Sequence, residues 1–555
     1  FGSSQWLKKV WYLQASLAVK AVKAVEAMSS AYDILNKLEG LDFEDEIPVS
    51  PIEKDYFNGE MLSKYEPCCD ALQRIIASDG EDEDVWDTFE ECFNKFLDFS
   101  WVSNWDGNKY DIVFYGVSGY TGYLMMQYLK RTALKRNPEK FTFAFAGRTV
   151  SKIAEQRDKN FAGTEWEDAP IIAATYDDPV TMIDLAKSAH VIVNVAGPYM
   201  LAQGEKMVDA CCLCGTDYCD VSGEIPWTLR TMELDTRAKK GNACIIPSSA
   251  VAGAYPDVLT FMCARKMLET SGKELRRAIC YARGGGASAG SSGGTLATRA
   301  AMSGASDKVR KAMADPYSLG GFIPDIDRNG CKEISIQQGT GKVTLKTRKD
   351  DTDAVLSKVS QCPFTNQWRA PWVYSYFDTR IVRRSNELLA NLENKPYGRT
   401  LIFQEFMMLP PGALMQAAGV KEGGGGDKIP KTGPSVGSEK ELLEQQGKYY
   451  KQGEGPPLEE LSDAWIANFM YAESVTGETL KCSLVGADGY FETARCAVEM
   501  AMTLRFDKAE LPHKGGVMNA ASCGQQWYAN RLINSGIKWK MGEWFGEADL
   551  NPPEK

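Results

Sequence analysis

Histidine is scarce in this chain of 555 residues: His190 and His513 are the only two, and they lie far apart. With so few imidazoles, a zinc centre of the usual His/Cys type is not expected. Fifteen cysteines are scattered without a spaced framework, Cys68-Cys69 and Cys211-Cys212-x-Cys214 being the clusters, which favours a reducing compartment over a disulfide-built fold. No apolar run reaches the roughly eighteen residues that a membrane-spanning helix needs, so no transmembrane helix is expected. Acidic residues are missing from the first 25 positions, which hold four lysines. The first residue is Phe rather than Met, so the expectation is a processed or truncated chain, with any targeting peptide outside it.

What is present is the composition of a globular protein, 44% hydrophobic and 25% charged, long enough for several cores. The net charge of −11 is unevenly placed: residues 1–109 hold 22 acids and 10 bases, peaking at Gly80-Glu81-Asp82-Glu83-Asp84. Such an acidic stretch argues against nucleic-acid binding. From Gln5 to Leu38, Trp6, Val10, Leu13, Leu17, Ala21, Ala24, Met28, Ala31, Leu35 and Leu38 recur at helical spacing until Gly40. This predicts a long amphipathic helix, placed on its own domain, on a partner protein or on a membrane surface through residues 1–40. A second helix is expected from Val85 to Leu97, so residues 1–108 read as an acidic helical extension.

The stretch Lys109 to Gly122, KYDIVFYGVSGYTG, organises the rest. Asp111–Tyr115 reads as a buried parallel strand, Gly116, Gly119 and Gly122 follow as G-x-x-G-x-x-G, and a helical pattern opens by Tyr123. Strand, glycine turn and helix form the context in which a dinucleotide pyrophosphate rests on free backbone N–H groups. Gly116 serves the tight turn, Gly119 the approach of phosphate and Gly122 the helix–strand packing. Ser118, Tyr120 and Thr121 complete the loop.

Residues 109–250 then alternate strand and helix. Phe141–Arg148 is a strand ending in Arg where an acid would bind the ribose hydroxyls of NAD. Arg148, with Thr149 beside it, therefore points to NADP(H) before NAD(H). Further strands are expected at Ile171–Tyr176, His190–Ala196, Gly215–Glu224 and Ala243–Pro247. Apolar strands in β-α-β order mean an α/β fold, a Rossmann-type doubly wound parallel sheet whose ligands bind beyond the carboxyl ends of the strands. Ala196, Gly197 and Pro198 follow the fourth strand on the cofactor side; Tyr199, Asp220 and Glu224 are the candidate proton donors or substrate-positioning groups.

Beyond Val251 the pattern becomes that of a second, α+β domain over 251–500. Tyr281–Thr295 reads as a glycine-rich loop before a helix near Thr295. Strands are expected at Lys342–Arg348, Trp372–Phe377 and Thr479–Gly486, a flexible loop at 420–457, and helices at Thr493–Leu504 and Gln525–Leu532. Residues 501–555 are expected to pack back on the core. No Tyr-x-x-x-Lys pair follows the fourth strand, and no Cys–His nucleophile pair is evident.

Gly116-Val-Ser-Gly-Tyr-Thr-Gly122 resembles the glycine turn of the saccharopine dehydrogenase-like oxidoreductases, a family that includes trans-acting enoyl reductases. The likeness extends to Ala146-Gly-Arg148, Asn194-Val-Ala-Gly-Pro-Tyr199, Thr216–Glu224, Ser291-Ser-Gly-Gly-Thr295, Gly453-Glu-Gly-Pro456 and Gly515–Ala520. It departs at Val251-Ala-Gly-Ala-Tyr-Pro-Asp257, where the family has G-F-D-S-x-P-x-D, and at Gly486-Ala-Asp-Gly-Tyr490, where it has G-D-P-G-Y. The resemblance covers roughly residues 110–545 and implies an NAD(P)-binding domain with a second domain closing over the cleft.

Two functions follow as expectations. One is an NADPH-dependent oxidoreductase passing hydride to an enoyl, imine or carbonyl group of a small-molecule or lipid-like substrate. The other is a catalytically silent assembly subunit that keeps the dinucleotide fold within a larger organellar complex. The setting expected is intracellular, in an organelle (plastid or mitochondrion) or the cytoplasm, soluble or peripheral to a membrane.

Overall fold

The computed structural model describes residues 110–553 apart from 137–140, 287–289, 322–330, 339–340, 411–443, 445–448 and, except for 353 and 356, 349–358. The expected helices within 1–108 and most of the expected loop 420–457 lie outside the described residues.

The nucleotide-type half is built in order from β1 (Tyr110–Tyr115), α1 (Tyr120–Tyr128), β2 (Phe143–Gly147), α2 (Val150–Phe161), β3 (Ile171–Ala173), α3 (Pro179–Lys187), β4 (Ala189–Asn194), α4 (Tyr199–Ala202), α5 (Glu205–Cys214), β5 (Asp217–Asp220), α6 (Ile225–Met232), α7 (Asp235–Lys240) and β6 (Cys244–Ile246). With β15 (Gly516–Val517) added from the second half of the chain, the sheet order is β15-β6-β5-β4-β1-β2-β3, every neighbouring pair parallel. Strand order therefore reverses between β1 and β4, which makes their carboxyl ends the switch point of a doubly wound sheet. The strands are apolar on both faces because helices cover both: Ile112, Phe114, Val191 and Val193 face one core, Val113, Tyr115 and Ile192 the other. The helix expected by Tyr123 begins three residues earlier, at Tyr120.

The second half continues with α8 (Val251–Ser271), β7 (Leu275–Gly285), α9 (Gly293–Ser303), α10 (Asp307–Ala314), the hairpin β8 (Cys331–Gln338) and β9 (Gly341–Arg348), β10 (Ser360–Gln361), β11 (Trp368–Ala370), α11 (Ser375–Glu393), β12 (Ile402–Met408), β13 (Trp465–Ser474), β14 (Thr479–Gly486), α12 (Gly489–Phe506), β15 (Gly516–Val517), α13 (Ala520–Asn534) and β16 (Lys538–Met541). Its sheet, β10-β11-β12-β7-β13-β14-β16, is mixed, with β12 and β7 parallel and the other pairs antiparallel. Leu275, Ala278, Met470 and Leu484 on its inner face share one apolar core with α8, α12 and the nucleotide sheet.

Two expectations are corrected here. Trp372–Phe377 is not a strand: its aromatic residues mimic alternation, but Tyr374 N-caps the nineteen-residue α11, whose inward side buries Phe377, Ile381 and Leu389. Tyr281–Gly285, expected within a loop, extends β7, because Gly284 and Gly285 are held by pairing with Ile466 and Trp465.

Candidate functional site

Gly116 leaves β1 with φ +89°, a backbone conformation that L side chains rarely adopt. A Cβ there would lie 2.8 Å from both the Cβ and the backbone N of Ala196, so the turn after β1 is pressed against the turn after β4. Gly122 has still less room, since a Cβ would stand 2.2 Å from Val117 Cα; this glycine seats α1 on its own turn. Gly119 differs from both: its Cβ would meet only the Gly116 carbonyl, at an ordinary 3.5 Å. No side chain caps α1, so its leading N–H groups have no competing side-chain acceptor. Ser118 is exposed and Thr121 half-buried.

Arg148 is exposed just past the carboxyl end of β2, and Thr149 N-caps α2 without a side-chain bond. Burial pushes the Tyr115 phenol up to about 12, against the pull of the nearby Arg148 guanidinium. Ala196, Gly197 and Pro198 form the opposite wall, with a cis bond between Gly197 and Pro198. Ala196 N–H donates to Asn194 Oδ1 at 3.0 Å, fixing how the chain leaves β4.

Tyr199, Asp220 and Glu224 come together, but inside a hydrogen-bonded floor rather than on an open surface. Asp220 is fully buried and accepts four bonds: Ser222 N–H (2.9 Å) and Ser248 N–H (2.8 Å) at Oδ1, Trp227 Nε1–H (2.7 Å) and Tyr218 OH (3.0 Å) at Oδ2. Glu224 accepts from the N–H groups of Tyr199 (3.1 Å) and Met200 (3.0 Å). Tyr199 donates its hydroxyl to the Asn194 carbonyl at 2.9 Å and stacks on Trp227, with centroids 5.4 Å apart. Burial raises the pKa of all three, the hydrogen bonds opposing it at both carboxyls. Asp220 in particular is a structural acid tying the ends of β5 and β6 together. Glu224 sits closer to open space: Gly223 beside it has nothing within 4 Å of a built Cβ, and Thr298 of α9 reaches its Oε1 at 3.5 Å.

Sequence reading did not single out Asn194, Tyr176, Tyr218 or Trp227 as site residues, although Asn194 links the first two tyrosines through Nδ2 at 2.8 and 3.0 Å. For Tyr176, Asn194 and Tyr218, positions in or just after β3, β4 and β5 near their carboxyl ends were the available signal; Trp227, on α6, had none. It also missed why three separate glycine motifs belong together. Tyr120 OH donates to the Pro456 carbonyl at 2.8 Å, and its ring meets Tyr490 edge-on at 5.4 Å. Ser292 N–H donates to Tyr490 OH at 2.7 Å, and Gly293 N–H to the Glu454 carbonyl at 3.0 Å. Gly293 and Gly455 are required there, because a Cβ would come within 1.9 Å of Lys451 O and 2.5 Å of the Tyr120 ring respectively. Segments 291–295, 451–456 and 488–490 thus converge beside the start of α1.

A parallel sheet with a glycine turn and an uncapped helix at its switch point defines the Rossmann-type α/β class. No family model matches the chain. Curated relatives do: a Mycobacterium leprae protein named trans-acting enoyl reductase is 26% identical over 443 residues, 78% of this chain and 97% of its own length. A Mycobacterium tuberculosis protein with the same name is 26% identical over 445 residues, 77% of this chain and 97% of its own. Among solved structures, the apo saccharopine dehydrogenase (L-Glu forming) of Saccharomyces cerevisiae covers 78% of this chain and 99% of its own at 11% identity, with a TM-score of 0.41. The chain is thus similar, over about three quarters of its length, to proteins named trans-acting enoyl reductase. Among the described residues no helix is long and apolar enough to cross a membrane, and none of their His, Cys, Asp and Glu side chains group as a metal site.

Proposed function

We propose that this protein is an NADPH-dependent oxidoreductase that delivers hydride to an enoyl, imine or carbonyl carbon of a hydrophobic substrate. The observation that carries this reading is the switch point itself: Gly116 against Ala196, Gly119 with only the Gly116 carbonyl near its Cβ position, and an α1 without a side-chain cap. These fit a pyrophosphate on the backbone of 116–122, with Ala196, Gly197 and Pro198 as the facing wall. Arg148 and Thr149 fit the 2′-phosphate that distinguishes NADP(H) from NAD(H). A bound nicotinamide supplies the hydride. The chain's part is to orient and to handle a proton, and Glu224 is the carboxyl best placed for it, held by Tyr199 and Met200 N–H and touching Thr298. Leu201 stands 68% exposed on α4, an apolar side chain one turn from this floor, in keeping with a hydrophobic substrate. The relatives' name supports an enoyl acceptor.

A second reading is kept by one observation: Tyr199, Asp220 and Glu224 are all engaged, as in a protein that retains the fold without turnover. In that case residues 1–40 would contact a partner protein or membrane surface within a complex. Titration with NADPH and NADH, followed by tryptophan fluorescence or heat, separates the two. Micromolar NADPH binding that weakens tenfold or more in Arg148→Ala supports the enzyme reading; no binding of either nucleotide overturns it.

A further inference from the structure

Cys263 and Cys482 lie 219 residues apart in sequence, yet their Sγ atoms are 3.1 Å apart. One is on α8 and the other on β14. Both are free thiols and both are completely buried. A disulfide needs its sulfurs at about 2.05 Å, so closure asks for a movement of roughly 1 Å, within the reach of side-chain rotation. The surrounding cluster is apolar, Cys280, Met470 and Leu484 being among its members, and holds the pair in register.

We propose that Cys263 and Cys482 form a latent cross-linking site, a thiol pair that closes to a reversible disulfide under a two-electron oxidant such as hydrogen peroxide. The peroxide oxygen is first taken by one thiol, giving a sulfenic acid and one water. The partner thiol then attacks that sulfur, forming the S–S bond and releasing a second water. Two thiols and one peroxide therefore give one disulfide and two waters, with sulfur oxidised and peroxide oxygen reduced. The bond would staple α8, which leaves the nucleotide sheet directly after β6, to the second sheet. The chain entering α8 borders the site, Ser249 N–H donating to the Asp220 carbonyl at 2.7 Å, and Gly253 near the start of α8 donates its N–H to Asp378 of α11 at 2.7 Å. Burial pushes the Cys482 thiol well up, so the uncharged form dominates at neutral pH and the reaction is slow, following that of more accessible thiols.

The test uses the full chain, incubated with millimolar hydrogen peroxide, blocked with iodoacetamide without reduction, digested and mapped by mass spectrometry. A peptide pair joined through Cys263 and Cys482, two hydrogens lighter than its reduced components and restored by dithiothreitol, is the expected result. The oxidised protein should also melt at least about 3 °C higher than its reduced form, and Cys482→Ala should show no such rise. If that variant fails to fold, Cys263→Ser serves in its place, and the peptide map needs neither. Oxidation that stops at sulfinic acid on these residues, or that links other cysteines while leaving these two as thiols, would overturn the proposal.

Discussion

Gly116 and Gly119 sit three residues apart in one turn, yet the structure assigns them different work, and alanine at each separates folding from ligand binding. At Gly116, alanine must adopt φ +89° and place its Cβ 2.8 Å from two atoms of Ala196. The left-handed backbone costs about 1–2 kcal/mol, and forcing two packed turns apart adds about 1–3 kcal/mol. Gly116→Ala should therefore lose about 3 kcal/mol in urea unfolding, with weakened NADPH binding as a secondary result. At Gly119, φ is −89° and the added Cβ makes one ordinary contact at 3.5 Å. Gly119→Ala should lose at most about 1 kcal/mol, the scale of a changed N-cap. Its methyl group would nevertheless occupy the space through which a phosphate approaches, and NADPH affinity should fall about tenfold or more, close to 1.4 kcal/mol. Both quantities come from the same purified proteins, by urea melts and by calorimetric titration. A Gly116→Ala protein as stable as its parent, or a Gly119→Ala protein that binds NADPH unchanged, would refute the reasoning.

Asp220→Asn turns an acceptor of four bonds into a group whose amide faces the donors Trp227 Nε1–H and Tyr218 OH, and should cost about 2–4 kcal/mol in urea unfolding. If stability held while turnover vanished, Asp220 would be a proton carrier after all. Trp227→Phe keeps a ring against Tyr199 but removes one donor to Asp220, for about 1–2 kcal/mol by the same measurement. Asp257, buried with Ser385 OH and Tyr397 OH, has its pKa raised to about 7 by burial. The folded state thus holds a proton that the unfolded chain releases near pH 4. This contribution to stability is full below about 4, is lost as pH rises through about 7 and is flat above. Asp257→Asn should flatten that part of a plot of urea midpoint against pH.

Six strands of the nucleotide-type sheet were legible because most are apolar runs bounded by glycine or polar turns, and because the G-x-x-G-x-x-G turn needs no partner to be recognised; the two-residue β15 was not. Thr479–Gly486 was equally plain, its ends coinciding with β14. What the sequence could not display is convergence. Tyr120 meets Pro456 across 336 residues, and Tyr490 meets Ser292 across 198. Nothing local marks either pair. The same applies to the site floor: Asp220 was visible as an acid at a strand end, but its four donors come from two loops, a helix and its own strand. Trp372–Phe377 failed for a different reason, since aromatic residues suit a strand and a helix start alike until Asp378 and the apolar spacing beyond are counted.

The edge strand β15 and the helix α12 give the chain an unusual timetable. Gly516 and Val517 pair with Cys244 and Ile245, and α12 covers β4 and β5 while lying against α1. The nucleotide-type half is therefore finished by residues made long after its first six strands. A ribosome that has completed β6 has released six strands with one face still wanting its helix, and more than 240 residues must follow before Phe491, Ala494 and Val498 arrive to cover it. Such a half-sheet exposes apolar surface during synthesis, so chaperone dependence and sensitivity to C-terminal truncation should mark this protein. A stop placed after β14 should remove soluble protein altogether, and not merely its last helices.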